Sequence, residues 1–488
     1  MGEAAASDGR EPRRARWQDM RTGGRRVVVL LGGWGIVDAF MDAAPLSPAE
    51  QDKRNALPWC YASGALNNIF GLWTFAGSVF VLFLSELQLP KGQIGALLSL
   101  FQFCGLLALG FAPVAARWGR KRVFLACYGV RKLVMAALLL LPWIVARSGH
   151  GTALVFLTGI IIVFAILRAL AETAYYPWQQ EFVPNAVRGR FTAWSTVFGL
   201  VASGGALAIA GYVIGSGTGL DRYLLLIGAG STIGFLGVVL MAKIPGGAPR
   251  QDPVKFGRHL AKMIEALRDR NFRSYLGGLA GLTIGTSMLI SFLPLYLREQ
   301  LGLASGTVVR LDIVVMVGSA FSSLAWGWLA DRLGSRPVLM PSAACMLLLP
   351  LAWLLLPRHL AHAAVWCAGV YFAYGLISSG VAIGAGRLLF NGVVPAEAST
   401  AYTAIYYAWL GVTGGIAPLL AGGILSARVS RDAGACIGPF PADGYALLFA
   451  TALLCLVAGW WLYGRVRPDG VHTTRSVARN FVNWVAQR

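Results

Sequence analysis

"GWLADRLGSRP", residues 327–337, sets Asp331, Arg332 and Arg336 in a glycine-bounded turn between two long apolar runs. The chain is otherwise sparing with charge. Of its 488 residues, 56% are hydrophobic and 13% charged, against about 25% charged in an average soluble domain. A charged turn between such runs marks a point where the chain leaves an apolar phase and re-enters it. A second stretch, "APVAARWGRKR" at 112–122, repeats the turn 215 positions earlier, with Ala116 where Asp331 would have its counterpart.

Apolar runs of about 20 residues, the length that spans a bilayer, occur twelve times. They fall near 62–84, 93–115, 123–145, 152–174, 191–214, 223–242, 275–297, 308–330, 337–357, 363–386, 401–425 and 444–464. Unpaired backbone groups are too costly in lipid for anything but a helix. The sequence therefore predicts an all-α integral membrane protein with 12 transmembrane helices. Sixty glycines and 16 tryptophans suit closely packed spans and interfacial belts. If both termini are cytoplasmic, the inner segments hold most of the 42 basic residues. The +20 net charge is then a topology signal, and no nucleic-acid partner is expected. The seven cysteines show no C-x-x-C spacing and lie mostly in apolar runs, and the five histidines form no metal signature. No metal or other cofactor is expected.

The chain reads as two copies of one unit. "YASGALNNIFGLW" from Tyr61 aligns with "YLGGLAGLTIGTS" from Tyr275, and "LQLPKG" (87–92) with "LGLASG" (301–306), both offset by 214; "VPNAVRGRFTAW" (183–194) aligns with "VPAEASTAYTAI" (394–405). The expected domains are a cytoplasmic and partly disordered N-terminal region (1–57), a first six-helix bundle (58–242), a cytoplasmic linker (243–273), a second six-helix bundle (274–465) and a cytoplasmic tail (466–488). In the N-terminal region, "VVVLLGGWGIV" (27–37) is too short to span and reads as an interfacial helix. In the linker, Phe256, Leu260, Met263, Ile264 and Leu267 recur at helical spacing and predict an amphipathic helix. Two parallel repeats around a midplane site are the architecture of a rocking transporter.

The opening turn resembles the loop signature of the major facilitator superfamily, Gly-x-x-x-Asp-Arg-x-Gly-x-Arg-Arg or Lys. Gly327, Asp331, Arg332, Gly334 and Arg336 match it, and Pro337 departs from it. The first-half copy keeps Arg117, Gly119, Lys121 and Arg122 but lacks the first Gly and the Asp, which are Ala112 and Ala116. A further family feature, the segment between spans 4 and 5, is present with Arg188 and Arg190. The resemblance implies two pseudo-symmetric six-helix bundles and a gate in which Asp331 approaches Arg188 or Arg190 when the inner side closes. The Gly-Pro-x-x-Gly-Gly motif of the family's drug antiporters is missing from span 5, "GLVASGGALAIAGYVIG". Its nearest likeness, "GGIAPLLAGG" (414–423), lies in span 11, and close helix packing by small residues accounts for both stretches.

Charge at bilayer depth is expensive and marks functional sites. Arg131 and Lys132 fall in span 3, and Arg168 and Glu172 fall four apart on span 4, so three cations face one carboxylate. A spare cation can bind an anionic substrate; the alternative is a structural cluster with Lys132 snorkelling along its helix. The resemblance implies a cavity lined by spans 1, 4, 7 and 10. It would place Asn67, Asn68 and Trp73, then Arg168 and Glu172, then Thr286 with Thr283 and Ser287, and lastly Tyr371, Tyr374, Arg387 and Asn391 at the substrate and its coupling ion. Tyr402, Tyr406 and Tyr407 share a face of span 11, where helix packing is the simpler reading.

The expected function is secondary active transport by alternating access, proton-coupled in the manner of a symporter, for a small polar or anionic solute such as an organic anion or a sugar. The chain would work as a monomer in the plasma (inner) membrane, with substrate, protons and lipid as its only partners. A drug/proton efflux antiporter is the alternative. An integral-membrane enzyme acting on lipid is a weaker one, because clustered histidines and paired carboxylates are missing and no catalytic residue can be named. No phosphate-binding Gly-x-x-x-x-Gly-Lys-Ser/Thr loop is present, so ATP-driven transport is not indicated.

Overall fold

A computed structural model describes residues 48–107, 117–184, 187–249, 263–357, 362–395, 399–429, 436–437, 440–441 and 443–469. The expectations for residues 1–47, Ala112, Ala116, Phe256 and Leu260 lie outside these. The helices are α1 (Pro48–Thr74), α2 (Gly77–Glu86), α3 (Lys91–Phe103), α4 (Arg120–Ala136), α5 (Leu141–Phe182), α6 (Arg188–Gly215), α7 (Asp221–Ala242), α8 (Arg270–Glu299), α9 (Ser305–Leu333), α10 (Ser335–Met346), α11 (Leu348–Leu355), α12 (Ala363–Leu388), α13 (Ser399–Val429) and α14 (Gly444–Tyr463). A two-residue strand pair, Cys436–Ile437 with Phe440–Pro441, precedes α14.

Ten helical segments among the described residues are long and apolar enough to cross a membrane. One of them, Arg120–Phe182, has 63 residues, about twice a membrane crossing. It holds two spans, hinged at Gly149, whose φ of 79° turns the chain back. Span 2 begins with α3 and runs partly outside the described residues. With these two adjustments the twelve predicted spans are accounted for. Several of them are not the simple rods that their hydropathy predicts. Span 1 is broken into α1 and α2 at Phe75–Ala76, where Gly77 takes φ 66°. Span 9 is divided into α10 and α11, and α12 ends in a single π-turn at Leu389–Val393.

The packing repeats across the two halves. Helix α1 lies against α6 and α7, as α8 lies against α13 and α14; α4 pairs with α5, as α10 pairs with α12. The two copies of the loop signature share a left-handed glycine, for Gly119 and Gly334 both take φ 94°. At that left-handed value only glycine avoids strain. After each glycine an N–H is received by the segment that follows the last span of its half: Lys121 N–H by the Gly247 carbonyl at 3.3 Å, and Ser335 N–H by the Asp469 carboxylate at 3.0 Å.

The halves meet along two symmetric seams, α3 against α13 and α6 against α9. Both are glycine contacts. A Cβ on Gly95 would overlap the Pro418 carbonyl and stand 3.1 Å from Gly422 Cα, and one on Gly306 would overlap the Gly211 carbonyl and stand 2.8 Å from Gly215 Cα. Lipid gives helices no hydrophobic reason to associate, so such backbone-close packing supplies the contact. The small-residue stretches of spans 5 and 11 are partly explained by it. Gly211, Gly215 and Gly422 pack a neighbouring helix, while Gly204, Gly205 and Gly423 face open space.

Candidate functional site

Both seams lie toward one end of the bundle, where α2 ends and α3 begins, and ion pairs reinforce them there. Lys91 Nζ is 2.6 Å from Glu299 Oε2, which also accepts from Tyr445 Oη at 2.8 Å. Glu86 receives Arg298 at 3.1 Å and Arg222 at 3.7 Å. The Lys91–Glu299 and Arg298–Glu86 pairs cross between the halves, so this end is clasped shut. At the opposite end the Asp331 carboxylate is paired with Arg387, within one half. Glu86→Gln would leave Arg222 and Arg298 facing each other across the seam without a counter-charge. Partly exposed pairs of this kind are worth about 1 kcal/mol, or roughly a fivefold shift between two conformers. Thiol labelling of cysteines placed along the seam should quicken by about that factor, and an unchanged rate would show that the glycine contacts alone hold it.

Beneath the clasp lies a central cavity of about 410 Å³, within the range that takes small-molecule ligands. Its walls come from both halves: Leu72, Phe75, Ser78 and Val81 of span 1, Thr286 to Pro294 of α8, Asp312, Val315 and Met316 of α9, Trp353 of α11, and Tyr371 and Tyr374 of α12. Of the sequence candidates, Thr286 and Tyr374 line it, as does Tyr371. The Thr286 hydroxyl is satisfied by its own helix, donating to the Leu282 carbonyl at 2.7 Å.

Two further hollows are present, and the first adjoins the central cavity. One, of about 270 Å³, shares Phe75, Gly77, Leu98, Ile290 and Ser291 with the central cavity and adds Arg168 and Ser287. The other, of about 220 Å³ within the first half, gathers Asn67, Asn68, Arg131 and Glu172 with Tyr128, Tyr175 and Tyr176. Here the sequence's three cations and one carboxylate do assemble, with unequal roles. Arg168 Nε donates to Glu172 Oε1 at 2.8 Å, one turn along the same helix, and both side chains are part-exposed. Arg131 and Lys132 converge on the Asn67 amide oxygen, at 2.9 and 2.8 Å.

Lys132 does not snorkel. It is fully buried, its ammonium 3.4 Å from the Phe70 ring centroid and 4.5 Å from that of Tyr128. Arg131 lies over Tyr128 at 4.3 Å and has one guanidinium nitrogen, Nε, without a hydrogen-bond partner. Ring faces and an amide oxygen offset part of the desolvation of these cations, and Nε remains a buried donor without a partner among the described residues.

Apart from Asn68, which also borders that hollow, the remaining candidates fall elsewhere. Trp73 is buried and donates to the Ala206 carbonyl at 2.8 Å, tying α1 to α6, while Asn68 reaches the Gly199 carbonyl at 3.4 Å. Arg387 is the partner of Asp331, and Asn391 lies exposed on the π-turn beyond it. Neither lines the cavities described. Tyr402 reaches Asp269 at 3.4 Å, and Tyr406 packs edge-on against Tyr407. In the loop motifs, Arg332 stacks over Trp328 at 4.4 Å, Arg336 donates to the Gly464 carbonyl, and Arg188 reaches the Gln180 carbonyl at 3.5 Å. Gly327, Arg117 and Arg122 are at or near the surface.

One residue of the central cavity is missing from the sequence reading. Among the described residues Asp312 is the single carboxylate on its wall, and its Oδ2 accepts the Ser78 N–H at 3.3 Å. The signal for it was present in "VVRLDIVVMVG" (308–318), where a charge interrupts an apolar run. Set at the very start of the predicted span, it reads as interfacial. The helix instead begins at Ser305, which puts Asp312 two turns, about 10 Å, inside.

A sequence profile of the Major Facilitator Superfamily matches residues 62–418. The chain belongs to that superfamily. Its members are multi-pass membrane transporters. Among solved structures of this superfamily fold, a variant of the nucleoside transporter NupG aligns with a TM-score of 0.65 at 14% identity, covering 84% of this chain and 100% of that one. The D-xylose-proton symporter aligns with a TM-score of 0.61 at 13% identity, covering 83% and 96%. In sequence, the proline/betaine transporter of Escherichia coli (strain K12) is 26% identical over 267 residues, 50% of each chain. This chain thus spans about half the length of the curated relatives it matches, and at these identities the structures establish the fold alone.

Proposed function

We propose that this superfamily member is a proton-coupled symporter of the plasma membrane that moves a small polar or anionic organic solute by alternating access, working as a monomer. The observation that carries the reading is the central cavity between the halves, shut at the Glu86 end by cross-half ion pairs and glycine seams. With the basic inner loops placed in the cytoplasm, the Glu86 end faces outward and the conformation is the inward-facing one. The domain limits of the sequence reading give the two rocking bodies, 58–242 and 274–465, joined by the linker at 243–273. Asp331 exchanges Arg387 for Arg188 or Arg190 when the inner side closes.

Arg168 stands at the edge of the cavity beside Phe75, 5.7 Å from its ring, and binds the anionic group of the solute. Glu172 releases Arg168 to the solute and takes up a proton in exchange, with Arg131 and Lys132 holding the surrounding field positive. Proteoliposomes with an imposed inward proton gradient should accumulate the solute above its equilibrium level; a panel of organic acids, amino acids and sugars, first screened by thermal shift, identifies it. Arg168→Ala should raise the solute's KM by tenfold or more, because a charge-assisted contact of ~1.5–3 kcal/mol is lost, and Arg168→Lys should recover part of it. An unaltered KM would remove Arg168 from the substrate.

The apolar share of the cavity wall favours one second reading, efflux of amphipathic drugs in exchange for protons. Drug-stimulated proton release from loaded vesicles, with no gradient-driven uptake of polar solutes, would select it.

A further inference from the structure

The central cavity holds an anionic charge with no cation to answer it. Asp312 sits on its wall with the Ser78 N–H as its hydrogen-bond donor. Among the described residues no ion pair to it is formed. Its nearest charged neighbour in sequence, Arg310, turns the other way. There Arg310 Nε donates to the Gly306 carbonyl at 3.2 Å, with its stem beside Gly211 and its guanidinium beside Gly215 in the seam. Arg168 lies across the shared wall of Phe75 and Gly77, already engaged by Glu172.

The break in span 1 serves this carboxylate. The break makes Ser78 a first-turn residue of α2, so its N–H has no helical acceptor and is free for Asp312. The positive end of the α2 dipole favours a negative charge there. Gly77 takes φ 66° to make the turn, and a Cβ on it would stand 3.4 Å from Asp312 Oδ2. The backbone is thus shaped to keep an anion in the cavity.

Around that anion the wall is aromatic. Phe75, Trp353, Tyr371 and Tyr374 line the same space, and Trp353 and Tyr371 meet edge-to-face at 6.0 Å between centroids. Aromatic faces beside a carboxylate attract a cationic nitrogen, and most of all an alkylated ammonium, which has little or no hydrogen-bonding demand. A sugar or a purely anionic solute would leave Asp312 unanswered in a low-dielectric space, a costly arrangement.

We propose that Asp312, with Phe75, Trp353, Tyr371 and Tyr374, binds a cationic nitrogen of the transported solute, so that the solute is a zwitterion with its ammonium at Asp312 and its carboxylate toward Arg168. This deepens the transport reading and rests on it for the word "transported"; the binding site itself does not.

Glycine betaine and its carbon isostere tert-butylacetate have the same shape and carboxylate and differ only in the charge of the quaternary centre. Purified full-length protein should be stabilised by betaine, and by tetramethylammonium at higher concentration, with tert-butylacetate at least tenfold weaker. Asp312→Asn should raise the half-maximal betaine concentration at least tenfold and erase the preference over the isostere. Asp312→Glu should keep the preference in part, which separates lost charge from lost folding. Equal stabilisation by betaine and isostere, betaine binding by Asp312→Asn as tight as by wild type, or no response to either cationic probe would each overturn the site. Should the site fail while another polar solute still accumulates under a proton gradient, the transport reading stands. Betaine binding without gradient-driven uptake would keep the site and sink the transport reading.

Discussion

Gly95→Leu is expected to abolish transport while leaving a folded protein. The Gly95 position has backbone on its open side, with the Pro418 carbonyl and Gly422 Cα close enough that a single added carbon overlaps or crowds them. Neither neighbour can swing away as a side-chain tip would. Leucine therefore pushes α3 and α13 apart, or forces strain of about 1–3 kcal/mol and upward if they stay. Because this seam joins the two halves and not the interior of one, the cheaper response is to hold the Glu86 end open. The ion pairs there, worth about 1 kcal/mol each, cannot close it against that strain. Uptake should fall by two orders of magnitude or more. A cysteine at cavity-lining Ser291, in a background without native cysteines, should become reactive to impermeant reagents from the Glu86 side. Gly306→Leu should act alike on the symmetric seam. Gly204→Leu, where nothing lies within 4 Å, is the control with unchanged transport. Wild-type uptake by Gly95→Leu would show that the cycle does not require this seam to close.

Glu172→Gln is expected to abolish proton-driven accumulation and to spare counterflow exchange. Its carboxylate is bonded to Arg168 at 2.8 Å and shares a hollow with Arg131, whose Nε lacks a partner. Arg168 in turn opens on the hollow that adjoins the central cavity. A solute carboxylate that takes Arg168 leaves Glu172 without its closest counter-charge, and a proton restores neutrality. That coupling costs nothing when solute moves in both directions, so exchange needs no proton and survives the amide. Accumulation ratios should fall from well above one to one, with exchange within about twofold of wild type. Wild-type accumulation by Glu172→Gln would reduce the cluster to structure. Loss of exchange as well would make Glu172 a substrate ligand.

Sequence alone determined the membrane class, the twelve spans, the repeat and the family, because each rests on local or periodic properties. An apolar run must be helical in lipid whatever surrounds it, and a glycine turn that needs φ 94° is legible wherever it stands twice at one spacing. It also found the charges at Arg131, Lys132, Arg168 and Glu172, since a charged residue deep in an apolar run is visible without coordinates.

What each charge does was decided by tertiary structure. Arg131 and Lys132 converge on Asn67, which is 64 and 65 positions away, and no spacing rule joins those residues. Arg387 reads as a cavity residue by its span, but one helix over it meets Asp331. Asp312 reads as interfacial until the helix start and the break in span 1 place it beneath the clasp. Depth, partner and solvent access arise from how helices distant in sequence are set against one another. Hydropathy averages over a span, so it carries no record of the single backbone break at Phe75–Ala76 that turns an N–H toward a carboxylate 234 residues away.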